Sequence, residues 1–102
     1  MTRVAFRSAL DAVIGAAFGA TGQRCMALPV VIMVGEAKKW IPDLVKKAES
    51  LKCGPYTDAA SNIGPLINQG AKERVLRLID AGVKEGAKLV LDGRNPKVCS
   101  KF

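Results

Sequence analysis

Apolar and polar positions divide the chain into segments of different period. From Ser8 to Gln23 the only charged residue is Asp11, in a run dominated by Ala, Val, Ile, Leu and Phe. That spacing predicts a helix over residues 4–18. A helix apolar all round normally sits inside a larger protein or a membrane. No uninterrupted apolar run reaches the roughly 18–20 residues that a membrane span needs. Gly15 and Gly19, four apart, share one face suited to close packing, and Gly19 and Gly22 then break the helix. Pro29 suits a strand edge, and the β-branched run 30–34 predicts a strand buried on both faces and ended by Gly35.

The stretch 36–51 is amphipathic: Ala37, Trp40, Ile41, Leu44, Val45, Ala48 and Leu51 fall at helical spacing, with lysines and acids opposite. Pro42 removes a helical hydrogen bond, so the main helix begins near it, after a looser turn. Trp40 reads as a core anchor. Residues 52–67 form a loop rich in turn signals, long for a small domain unless it packs on something else. Asn68 caps a further helix with Ala71, Val75, Leu78, Ile79 and Val83 on its inner stripe, ended by Gly82 and Gly86. A second strand over 88–91 closes at Asp92-Gly93. The predicted class is α/β, helices packed with short strands, in the order α-β-α-α-β.

The length, 102 residues, leaves room for one small domain. A formal charge of +7 raises nucleic acid or an anionic surface as partners. The basic residues are spread along the chain beside acids, however, and one Trp and one Tyr make no aromatic–basic platform. We therefore expect no nucleic-acid and no membrane partner. Cys25, Cys53 and Cys99 lie 28 and 46 residues apart, with no histidine in the chain. That pattern argues against a metal site and against a disulfide framework, and it favours a reducing compartment. It also rules out a Cys–His or Ser–His pair built from this chain alone. Arg3 and Arg7 give the N-terminus a faint likeness to a mitochondrial presequence, but the helical pattern runs on through Asp11.

The candidate chemistry lies in Gly15-Ala-Ala-Phe-Gly-Ala-Thr-Gly-Gln-Arg-Cys-Met-Ala27. A Gly-Gln-x-Cys string alone is weak, since a structural cysteine is the commoner case. In this context Phe18, Gly22, Gln23 and Cys25 resemble the nucleophile signature of the aldehyde dehydrogenase superfamily. Together with Val34-Gly-Glu-Ala-Lys-Lys-Trp40, Ile63-Gly-Pro-Leu-Ile67, Ala71-Lys-Glu-Arg-Val75 and Lys84-Glu-Gly-Ala-Lys88, they resemble the CoA-acylating methylmalonate-semialdehyde dehydrogenase type. The likeness covers about 11–94, and the sequence departs from it at Pro29, around 53–61 and from Asn95 onward.

The resemblance implies an NAD-dependent oxidation of a small semialdehyde, in valine catabolism, through a thiohemiacetal and then a thioester on Cys25, with coenzyme A as acceptor. A cysteine thiolate attacks an aldehyde better than an oxygen nucleophile at neutral pH, and the resulting oxyanion needs donors. The backbone N–H of Cys25 is one such donor by resemblance. Gly22 permits the turn, Gln23 holds it, and Arg24 suits the substrate carboxylate, against the alternative of a structural arginine. Residues 1–102 then form part of the catalytic domain. The NAD-binding domain, the second oxyanion donor and the binding sites for NAD and coenzyme A are expected outside this chain. Both ends read as truncation, so the chain is expected to be a fragment inactive alone. The alternative is a non-catalytic chain that associates with full-length subunits. The mitochondrial matrix is the location that the family implies, and the cytoplasm is otherwise expected.

Overall fold

The computed structural model describes residues 3–96, and Cys99 lies outside them. The chain divides into two compact units, Met1–Leu51 and Lys52–Phe102.

In the first unit, α1 spans Arg3–Phe18 and packs on α2, Ile41–Glu49. A 3₁₀ turn, Gly35–Trp40, precedes α2, and Pro42 lies in its first turn. There a missing N–H costs nothing, because helix-start donors have no intrahelical partner. The apolar stripe of α1 turns Phe6 onto Trp40, edge to face, with ring centroids 5.2 Å apart and planes at 76°. Leu10, one turn on, is 2% exposed and is the buried core residue among those described. An ion pair from Lys47 to Asp11 closes the rim of the same interface.

The predicted strand over 30–34 does not form, and no strand is present among the described residues. The backbone is extended at Val34, with φ −108° and ψ 135°. A strand also requires a second one to exchange hydrogen bonds with, and no described segment pairs with 30–34. The run is also not buried on both faces: Val30, Ile32 and Val34 are 72, 83 and 76% exposed. A second correction concerns α1. Val4–Gly22, at 19 residues, is long and apolar enough by length and composition to cross a membrane. It reaches that length because a span tolerates a charge or two, here Arg7 and Asp11. The core helix of a soluble protein or a signal sequence meets the same criterion.

The second unit opens with a closed loop. Lys52 carbonyl accepts from the Asn62 and Ile63 N–H groups at 2.8 and 3.1 Å, and Gly54 N–H donates to Ile63 carbonyl at 3.0 Å. This leaves one isolated parallel bridge, Cys53 to Ile63. Asn68 caps α3, Gln69–Lys84, its side-chain oxygen accepting from Ala71 N–H at 2.8 Å. Gly86, at φ +100°, ends the helix in a Schellman motif. Its N–H donates to Val83 carbonyl at 3.1 Å, and that of Ala87 to Gly82 carbonyl at 2.9 Å.

The predicted strand at 88–91 is likewise absent. Instead Leu89 lines a shallow depression together with Leu78, Ile79 and Val83 of α3. Arg94 fixes this return, pairing with Asp80 of α3 at 2.6 Å and with Asp92 at 2.5 Å. Hydrogen bonds from the Arg94 side chain, then from its backbone N–H, hold the Asp92 carboxyl down to about 2, from an ordinary 3.8. A carboxyl depressed on folding contributes stability that is fully present above its unfolded value and is lost as pH falls through the folded one. The Asp92 tie is therefore expected to hold above about pH 4 and to release near pH 2. A carboxyl-carbon NMR titration should give that midpoint, and Arg94→Gln, which keeps only the backbone donor, should raise it toward the ordinary carboxylate range.

Candidate active site

The segment carrying Cys25 is shaped by how α1 ends. Three successive residues take positive φ: Ala20 at 50°, Thr21 at 59° and Gly22 at 73°. They form a tight turn, Gly19–Gly22, that reverses the chain at the helix end. Glycine takes this conformation freely, whereas Ala and Thr pay roughly 1–2 kcal/mol each for the approach of Cβ to the carbonyl. Gln23 clasps the turn twice, its N–H and its side-chain Nε2 both donating to Ala20 carbonyl at 3.1 Å. Leu28 N–H then donates to Ala16 carbonyl at 3.2 Å, tying the far end of the loop back to α1.

Between these ties Cys25 and Met26 occupy the centre of a β-turn, closed by Ala27 N–H donating to Arg24 carbonyl at 3.1 Å. The Cys25 thiol is free and exposed. Its own N–H meets no backbone acceptor among the described residues, so thiol and backbone donor sit together at the loop tip.

Arg24 folds back over the end of α1. A Cβ built at Gly19 would meet its guanidinium at 2.8 Å, while nothing lies within 4 Å of one at Gly15. The glycine face predicted for close packing therefore receives a side chain at Gly19 and stays open at Gly15. Arg24 makes no ion pair among the described residues. The structure thus brings Gly22, Gln23, Arg24 and Cys25 onto one short loop. Cys53 is half-buried in the second unit, beside Ile63, and among the described residues no cluster of His, Cys, Asp or Glu could hold a metal.

Sequence reasoning missed the left-handed Ala20 and Thr21, since neither residue type advertises positive φ. The flanking Gly19 and Gly22 were the available signal. Replacing Ala20 by glycine relieves the Cβ clash at a smaller entropic cost. Ala20→Gly is expected to raise unit stability by about 0.5–1 kcal/mol, and Gly22→Ala to lower it by about 1 kcal/mol. Thermal melts followed at Trp40 would read both.

Residues 2–101 match the aldehyde dehydrogenase family. The chain belongs to that family. Its similarity lies with the methylmalonate-semialdehyde dehydrogenases. It is 56% identical over 89 residues to the acylating, mitochondrial methylmalonate-semialdehyde/malonate-semialdehyde dehydrogenase of Bos taurus, covering 87% of this chain and 17% of that protein. The Homo sapiens protein of the same description is 55% identical over the same shares, and the probable Dictyostelium discoideum one 50% over 93 residues, 91% of this chain and 18% of that protein. The crystal structure of methylmalonate-semialdehyde dehydrogenase (DddC) from Oceanimonas doudoroffii superposes with a TM-score of 0.84 at 38% identity. That match covers 90% of this chain and 19% of that one. The chain therefore spans about a sixth of the length of these curated relatives. Family members are enzymes, and the loop at Cys25 lies within the matched aldehyde dehydrogenase stretch.

Proposed function

We propose that this chain carries the nucleophile segment of an NAD-dependent, CoA-acylating methylmalonate-semialdehyde dehydrogenase, with Cys25 as the nucleophile. The observation that carries the reading is the exposed Cys25 thiol beside its own N–H, which meets no backbone acceptor among the described residues, on a loop held by the Gln23 clasp. The thiolate sulfur adds to the aldehyde carbon while the carbonyl π pair moves to oxygen. The resulting oxyanion accepts from Cys25 N–H and then takes a proton from water, leaving a thiohemiacetal. Gly22 and Gln23 are positioning residues for this loop. Arg24, without an acidic partner among the described residues, receives the carboxylate of the semialdehyde.

The family implies NAD, and the acylating relatives imply coenzyme A. The described residues do not fit either group as a resident. A depression lined by Leu78, Ile79, Gly82, Val83, Ala87 and Leu89 with Lys88 lies at the C-terminal end of α3, and so offers a diphosphate no helix N-terminus. We therefore derive no step through these groups. The chain acts as part of a catalytic domain whose dinucleotide-binding portion lies outside residues 1–102. By itself it captures aldehyde without producing NADH. In such a domain the runs 30–34 and 88–91 become strands of an α/β sheet. The mitochondrial naming of the relatives supports a matrix location.

The test compares malonate semialdehyde with propanal, each carrying ¹³C at the aldehyde carbon, on the intact chain. The thiohemiacetal resonance should favour the carboxylate-bearing aldehyde by three- to tenfold, the yield of an exposed ion pair worth about 1 kcal/mol. Arg24→Gln should remove the preference. Equal capture of the two aldehydes by the wild-type chain would overturn the assignment of Arg24, and NADH production by the chain alone would overturn the claim that it is incomplete.

A further inference from the structure

Gly19 is not required by the backbone it occupies. The glycines at positive φ are Gly22, Gly35 and Gly86, so Gly19 holds a conformation that a residue with a side chain also adopts. What an alanine there would lack is room. Its Cβ would lie 2.8 Å from Cζ, 2.8 Å from Nη1 and 2.9 Å from Nη2 of Arg24, well inside van der Waals contact. At Gly15, on the same face, an added Cβ would meet nothing within 4 Å. The missing side chain of Gly19 therefore makes space for one group, the Arg24 guanidinium.

The three distances also give its orientation. Near-equal separations from Cζ and both terminal nitrogens put Gly19 under the flat face of the guanidinium. An approach in the plane, between Nη1 and Nη2, would leave Cζ clearly the farthest of the three. The N–H donors of a guanidinium lie in its plane, so stacking by the face spends none of them on the helix end. The group rests where α1, Arg3–Phe18, ends, and the C-terminal end of a helix dipole attracts a cation. Arg24 makes no ion pair among the described residues. A long side chain is thus held in one place with its donor edges still to be used.

We propose that Gly19 is a positioning residue for substrate selection, seating the Arg24 guanidinium face-down on the end of α1 with its N–H edges open to a carboxylate-bearing aldehyde. The inference rests on the reading of Arg24 as the receiver of that carboxylate. A mobile arginine must lose rotamer freedom when it binds, whereas a seated one has lost much of it on folding. The planar fork then meets a carboxylate through two parallel hydrogen bonds. Gly19 itself touches no substrate and acts only through Arg24.

The test measures capture of ¹³C-labelled malonate semialdehyde and of propanal by the intact 102-residue chain and its variants. The ratio of the two divides out any change in Cys25 reactivity common to both aldehydes. Gly19→Ala should lower the wild-type ratio by about threefold or more, through lost pre-ordering of one side chain. The group it displaces is the far end of a flexible side chain, so the near-ultraviolet circular dichroism of Trp40 should persist. Gly15→Ala should keep the wild-type ratio. In an Arg24→Lys background, where the ammonium has no flat face to seat, Gly19→Ala should change nothing, whereas a merely structural role would act in both backgrounds. A nuclear Overhauser contact between Gly19 and the Arg24 side chain should be present in the wild-type chain. An unchanged or higher ratio in Gly19→Ala, an equal effect in the lysine background, or no Overhauser contact would each overturn the seat. A wild-type ratio retained in Arg24→Gln would instead overturn the reading of Arg24. A ratio lost in Arg24→Gln but kept in Gly19→Ala would leave that reading standing and remove the role of Gly19.

Discussion

Cys25→Ser eliminates capture of ¹³C-labelled malonate semialdehyde by the chain, lowering the thiohemiacetal signal by at least about a hundredfold. The substitution keeps the size of the side chain and the turn around it, so the loss reports chemistry rather than folding. A serine hydroxyl at neutral pH needs an adjacent general base to attack a carbonyl, and the chain contains no histidine to provide one. Cys53→Ser is the matched control. That thiol is half-buried beside Ile63 in the second unit, and its removal should leave the signal within experimental error. Intact-mass measurement after brief iodoacetamide treatment gives the same ordering independently, with Cys25 alkylated before Cys53. Retention of the signal in Cys25→Ser would sink the assignment of the nucleophile.

Leu10→Ala unfolds the first unit. Truncating a buried leucine typically costs about 2–5 kcal/mol, through lost transfer free energy and the cavity left behind. A whole domain is commonly stable by only about 5–15 kcal/mol, and this unit has Leu10 as its one buried apolar side chain among the described residues. The Phe6–Trp40 contact and the Lys47–Asp11 pair flank Leu10 on the α1–α2 interface and cannot replace it, because half-exposed contacts and surface ion pairs contribute little. The expected result is a red shift of Trp40 fluorescence and loss of its near-ultraviolet circular dichroism at 25 °C. Val4→Ala, at a position 76% exposed, should leave both signals unchanged. A cooperative melt for Leu10→Ala within a few degrees of wild type would show that the interface is held by something other than this side chain.

The helices were legible because each is settled within its own segment. The 3.6-residue period places α1, α2 and α3, Pro42 marks where the looser turn ends, and Asn68 and Gly86 supply the cap and the left-handed exit. The strands predicted at 30–34 and 88–91 were not settled in this way. β-branched residues favour an extended backbone, but a strand exists only when another segment accepts its hydrogen bonds, and no local pattern specifies that segment. The same limit applies to Arg94, whose partner Asp80 lies 14 residues away and comes within reach only because Gly86 turns the chain back along α3.

At the candidate site the division falls inside four residues. Sequence alone determined the residue types: a small residue at Gly22 that permits positive φ, an amide at Gln23, a cation at Arg24 and a thiol at Cys25, together with the absence of any histidine to assist them. The tertiary structure decided how those groups are presented. Ala20 and Thr21 are pulled into left-handed backbone against their own preference, the Ala20 carbonyl becomes the anchor for both donors of Gln23, and the guanidinium of Arg24 comes to rest over Gly19. Residue chemistry is written one position at a time, whereas a strained turn is held only by the sum of the contacts around it.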